Sequence, residues 1–136
     1  ERGRRAGTSN VPGIVGMGVA STLAGTIDPG PRDRLEAAMR HLGGVVVGSE
    51  SPRLPNTSLV IFAHRGDMIA AGLDLEGFQV SAGSACSSGA TLASTVLRAM
   101  GYEKLPVRFS SGPGVDAACV LPALARVLDR MGTSCA

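Results

Sequence analysis

Apolar residues along this chain fall into two spacings, one helical and one extended, and the breaks between them coincide with Gly and Pro clusters. The run from Val11 to Ala24 is apolar on most faces and carries Pro12 where a first helical turn tolerates it, which predicts a helix with little polar surface and therefore a buried one. The segment Gly25 to Pro31, with two Gly, two Pro and an Asp, interrupts it. From Arg32 to Leu42 the apolar positions Leu35, Ala38, Met39 and Leu42 recur at helical spacing, so a second, amphipathic helix is predicted, closed by Gly43 and Gly44.

Short β-branched or aromatic runs at Val45 to Val47, Ser58 to Ala63, Phe78 to Ser81 and Val107 to Ser110, bounded by Gly, Pro or Asn, read as strands. Helical patterns separate them at Asp67 to Leu75, Thr91 to Met100 and Ala117 to Met131, where Pro122 requires the last helix either to begin near it or to kink. The economical arrangement is an α+β domain with a mainly antiparallel sheet of about four short strands and helices packed on one face. No internal repeat is present.

Composition narrows the function classes. At 136 residues the chain is one domain's worth and short for a complete cofactor-dependent enzyme. With 3% aromatic residues and no Trp, the core must come from Val, Leu, Ala and Ile. A formal charge of +2, with its basic cluster confined to Arg2, Arg4 and Arg5, argues against a nucleic-acid partner. No apolar run approaches the roughly 20 residues of a membrane span, and the N-terminus has no apolar signal core, so no membrane association and a cytoplasmic location are expected. The opening at Glu1, without Met and inside an Arg- and Gly-rich stretch, reads as a cut through a longer polypeptide.

Cys86, Cys119 and Cys135 are odd in number and widely separated, which fits neither a disulfide framework nor paired zinc ligands. His41 and His64 stand alone, and no metal site is expected from them. Chemistry concentrates instead at Val80 to Gly89, V-S-A-G-S-A-C-S-S-G, where a strand end runs into a loop of Ser, Ala, Gly and one Cys. Such a segment has little to bury and few steric limits, and nucleophilic work requires a reachable thiolate near positive charge or backbone N–H groups. By itself the pattern leaves both a reactive thiol and a passive small residue open at Cys86.

Five ordered segments bear on that choice: E-R-G-R-R-A-G-T at Glu1 to Thr8, R-L-P-N-T at Arg53 to Thr57, S-A-G-S-A-C-S-S-G at Ser81 to Gly89, V-L-R-A-M-G at Val96 to Gly101 and V-R-F-S-S-G at Val107 to Gly112. In order and approximate spacing the chain resembles the C-terminal portion of cysteine desulfurases of the iron-sulfur-cluster-assembly class, within the class V aminotransferase family of fold type I pyridoxal-phosphate enzymes. The resemblance implies pyridoxal 5'-phosphate as cofactor, L-cysteine as substrate, L-alanine as product and a persulfide on Cys86 as the form in which sulfur leaves.

It further implies that Arg108 grips the substrate carboxylate, for which a planar guanidinium is suited; without the resemblance, an Arg at a strand end paired with a surface acid would be the simpler reading. Thr8, closing an R-x-G-T turn, would reach the cofactor phosphate of a neighbouring subunit, which implies a homodimer. A sulfur-acceptor or iron-sulfur scaffold protein is the implied partner. Arg53 and Asn56 read as structural, at a turn leading into the strand at Ser58.

A Schiff base needs a lysine, and the chain's one lysine, Lys104, does not match the family's position, which lies upstream of the E-R-G segment. The expected division is therefore residues 1–30 as the end of the cofactor-binding large domain with a connecting helix, and 31–136 as the small domain. Three departures stand inside the matched region: Gly25 to Pro31 replaces a longer helical connector, Leu92 to Thr95 lacks the usual Pro-Ser-His or similar, and Gly112 to Val115 lacks a Thr-Thr helix cap. A chain inactive without its missing part is expected, with a stand-alone sulfur carrier or a truncated, inactive paralogue as alternatives.

Overall fold

In the computed structural model the described residues are 7–23, 25, 27–83, 94–112 and 114–132. The chain runs α1 (Val11–Leu23), α2 (Gly30–His41), β1 (Val45–Val46), β2 (Thr57–Ile61), α3 (Gly66–Leu75), β3 (Ser81–Ala82), α4 (Thr95–Ala99) and β4 (Val107–Ser110), then a 3₁₀ turn (Ala117–Val120) leading into α5 (Leu121–Arg130). The strands form one sheet in the order β1-β2-β4-β3, every neighbouring pair antiparallel. This is the α+β arrangement the pattern predicted.

Side chains alternate across the sheet, and the alternation sorts residues by burial. Ser58 and Val60 on β2 stand opposite Phe109 and Val107 on β4, and all four are buried. They meet Leu35 and Met39 of α2, Ile69 and Leu73 of α3 and Leu124, Val127 and Leu128 of α5 in one continuous core. The amphipathic spacing of each helix thus selects the sheet face it covers. A smaller cluster of Val47, Ile61 and Leu97, with Leu59 and Tyr102 against it, packs the short α4 onto the other side.

Glu36 is the buried charge in this core. Its carboxylate accepts from Arg53 Nη1 at 2.6 Å, from Arg53 Nη2 at 3.1 Å and from Ser58 Oγ at 2.5 Å, tying α2 to β2 and to the segment that precedes it. Burial pushes the Glu36 carboxyl up, but the bonds from Arg53 and Ser58 and the positive charges of Arg53 and Arg32 hold it below its ordinary value. Asn56 donates from Nδ2 to the carbonyl of Ser111 at 2.8 Å, closing the far end of the β2–β4 pair. Both Arg53 and Asn56 thus make contacts that hold the fold together.

Three elements differ from expectation. The short α4 packs on the opposite sheet face from α2, α3 and α5, whereas helices on one face were expected. The segment read as a strand from Phe78 to Ser81 pairs only at Ser81 and Ala82, because residues 78–80 follow directly on the turn that ends α3, where Phe78 N–H bonds back to the Leu73 carbonyl. Helix α1 forms where predicted, yet none of its side chains is buried: Ile14, Met17 and Leu23 are 63%, 74% and 77% exposed. An apolar pattern states a preference for burial, and no described element lies where it would supply a covering surface.

Candidate functional site

The β3–β4 pair carries Arg108 and leads toward Cys86, two of the candidate site residues. Arg108 lies on the sheet face opposite the main core, since its neighbours Val107 and Phe109 are buried inward. Register sets Ser81 of β3 and Leu59 of β2 on either side of it. Arg108 is exposed, and its Nη2 donates to Ser81 Oγ at 3.2 Å. Among the described residues its guanidinium forms no ion pair, whereas Arg32, Arg40, Arg53, Arg65, Arg98, Arg126 and Arg130 each lie within salt-bridge distance of a carboxylate. The simpler reading of Arg108, a strand-end cation satisfied by a surface acid, does not hold there.

Cys86 lies outside the described residues, in the interval 84–93, but the segment that leads to it is well defined. Ser81 and Ala82 pair with Arg108 and Val107, and Gly83 N–H donates to the Pro106 carbonyl at 3.2 Å. Gly83 has φ +64, the left-handed region, and a Cβ there would come within 2.9 Å of Leu105 Cδ1. The stretch before the cysteine is thereby fixed to the strand that bears the guanidinium. Beyond the interval, Ser94 caps α4 by accepting from Leu97 N–H at 3.3 Å, so this helix starts at Thr95 rather than near Thr91.

Thr8 is exposed, just ahead of α1. Lys104, in the turn before β4, donates from Nζ to the Ala63 carbonyl at 3.0 Å. A cofactor aldehyde would require this amine in a site with phosphate donors around it; an exposed amine engaged with a backbone carbonyl is not such a site. Among the described residues, Lys104 therefore does not supply the amine such a cofactor needs. Cys119 is exposed in the 3₁₀ turn, where it lines a cleft of about 270 Å³ with Leu35, Asn56, Val80, Phe109 and Val115. Arg108 does not border that cleft, and no group of three or more metal-ligating side chains gathers among the described residues.

Comparison with known proteins decides the relationship. No family model matches the chain. It is 49% identical over 109 residues to a cysteine desulfurase of Bradyrhizobium diazoefficiens, covering 74% of this chain and 28% of that protein. The chain is homologous to the cysteine desulfurases. The cysteine desulfurase of Cereibacter sphaeroides is 46% identical over 119 residues, 82% of this chain and 30% of its own length, and that of Trichormus azollae 45% over 124 residues, 81% and 31%. Among solved structures, a NifS-like protein superposes with a TM-score of 0.67 at 28% identity, over 95% of this chain and 36% of that one. The chain thus spans under a third of the length of each of these three cysteine desulfurases.

The sequence motifs singled out Arg108 as a candidate, but not Ser81, whose hydroxyl accepts its hydrogen bond. Ser81 belongs to the same S-A-G-S-A-C segment as the cysteine, yet its assignment required the β3–β4 register, which no local pattern encodes. Glu36 was hidden for a related reason: an acid inside an amphipathic helix reads as solvent-facing until its partner, seventeen residues away, is seen.

Proposed function

We propose that this chain is the C-terminal, sulfur-accepting part of a pyridoxal-phosphate-dependent cysteine desulfurase. Residues 31–136 are its small domain, and α1 belongs with a cofactor-binding domain whose lysine lies outside this chain. Arg108 takes the α-carboxylate of L-cysteine, and Cys86 takes the sulfur as a persulfide for delivery to an acceptor protein in iron-sulfur cluster assembly. The cofactor, held elsewhere, supplies the electron sink that C–S cleavage needs. Thr8 contributes to the phosphate site of a second subunit, in a cytoplasmic homodimer.

One observation supports this reading most directly: an exposed guanidinium without an ion pair among the described residues, on a strand whose edge partner leads within four residues to Cys86. A guanidinium left free of protein acids is available to a ligand carboxylate in two-pronged geometry. The thiol role follows from access: a thiolate on a Ser and Gly segment can approach a bound substrate and then carry sulfur outward.

The test supplies the cofactor-bearing part together with this chain, adds L-cysteine and measures alanine and persulfide. Alanine formation with a persulfide on Cys86, lost in Cys86→Ser and with KM raised at least 100-fold in Arg108→Ala, is the expected result. Equal labelling of Cys86 and Cys119 would defeat it. The engagement of Lys104 with a carbonyl favours a second reading, a sulfur carrier without cofactor chemistry of its own; Cys86 would then accept sulfur from a persulfide donor with no pyridoxal phosphate present.

A further inference from the structure

We infer that Ser81 is a positioning residue for Arg108, fixing the direction in which the guanidinium meets a carboxylate and joining that grip to the segment leading to Cys86. The inference rests on the carboxylate-binding reading of Arg108. An exposed arginine side chain samples many rotamers, and two-pronged recognition of a carboxylate needs one of them. The described residues offer one side-chain anchor for this purpose, the Ser81 hydroxyl at 3.2 Å from Nη2.

The anchor is fixed from three sides. Ser81 is the direct cross-strand partner of Arg108, so its hydroxyl emerges on the same sheet face. Ala82 pairs with the buried Val107, and Gly83 bonds to the Pro106 carbonyl, which prevents the edge strand from sliding by one residue and turning Ser81 away. Because the hydroxyl is uncharged, it orients the guanidinium without neutralising it. A carboxylate at position 81 would hold Arg108 equally well and close it to substrate. The serine therefore preserves the charge that a ligand carboxylate must meet, and it stands five residues before Cys86 in sequence.

Two measurements test this. In the ¹⁵N-labelled 136-residue chain, Ser81→Ala should shift the Arg108 Nη resonances and speed rotation about the Nε–Cζ bond, and Ser81→Thr should restore both; unchanged Arg108 resonances in Ser81→Ala would overturn the contact. In the complemented desulfurase assay, Ser81→Ala should raise the KM for L-cysteine about 3- to 10-fold, the size of one net hydrogen bond, with kcat within about twofold. Ser81→Thr should recover the KM, and Ser81→Asp should raise it further than Ser81→Ala does. If Arg108→Ala raises KM while Ser81→Ala leaves it unchanged, Ser81 has no positioning role although the function stands. If Arg108→Ala itself leaves KM unchanged, the carboxylate reading fails and the role of Ser81 falls with it.

Discussion

Glu36 and Arg53 meet through two parallel bonds, at 2.6 and 3.1 Å, with the Glu36 side chain 3% exposed and that of Arg53 18%. This pair joins α2 to the chain entering β2, and β2 is the strand on which β4 and Arg108 are paired. Removing one partner strands a charge in a poorly hydrated position, and that cost exceeds whatever the intact pair contributes over an apolar replacement. Glu36→Ala is expected to lower unfolding stability by about 3 kcal/mol in urea titration. A double change of Glu36 and Arg53 to Leu should cost less than Glu36→Ala alone.

The same pair makes stability depend on acid. The folded Glu36 carboxyl lies below its unfolded value of 4.5, so between those two values the unfolded chain binds more protons than the folded one. Stability therefore rises with pH through that window: the contribution is fully present above 4.5 and is lost as pH falls through the folded value. Asp67, lowered mainly by its bond from Arg65, and Glu76, lowered by bonds from Arg126 and Arg130, act in the same direction but from solvent-screened positions. Urea midpoints measured from neutral pH down through this window should fall, and Glu36→Gln should flatten the decline more than Glu76→Gln.

Gly66 opens α3 against the segment that enters β4. Its N–H donates to the Leu105 carbonyl at 2.9 Å, and a Cβ at this position would lie 2.3 Å from the Pro106 carbonyl oxygen and 2.5 Å from its carbon. Those are backbone atoms without a rotamer to yield, so Gly66→Ala must displace residues 105 and 106, two positions before Arg108. A loss of about 2 kcal/mol is expected from such overpacking. Calorimetry should show the lowered Tm, and the Ser81–Arg108 contact should weaken with it.

Helix positions were legible in the sequence because each stripe of apolar residues in α2, α3 and α5 faces one continuous core. Of the two alternatives that Pro122 left, a helix start or a kink, the structure has the start: α5 begins at Leu121 after the 3₁₀ turn. Strand β3 was misplaced by three residues because Phe78 and Val80 satisfy their burial preference against the core beside the α3 turn without a ladder. Arg108 was recognisable from its motif. The geometry that leaves it without an acid among the described residues, and gives it Ser81 there, depends on strand order and register, which arise from contacts distant in sequence.

Helix α1 provides a test of where the stability of this chain resides. Val11, Ile14, Val15, Met17, Val19 and Leu23 are all more than half exposed, and no residue of the helix is buried, so its removal deletes no core contact. Deletion of residues 1–24 should therefore leave the stability of the remainder within about 0.5 kcal/mol, the range typical of surface changes. Its exposed apolar surface should nonetheless drive association of the intact chain in water. Sedimentation velocity should show concentration-dependent oligomers for residues 1–136 and a monomer for the deletion. The double variant Ile14→Lys, Met17→Glu should behave like the deletion, since charge on the same helix disfavours an apolar contact without touching the sheet. A loss of several kcal/mol on deletion would instead mean that α1 folds back onto the domain in solution.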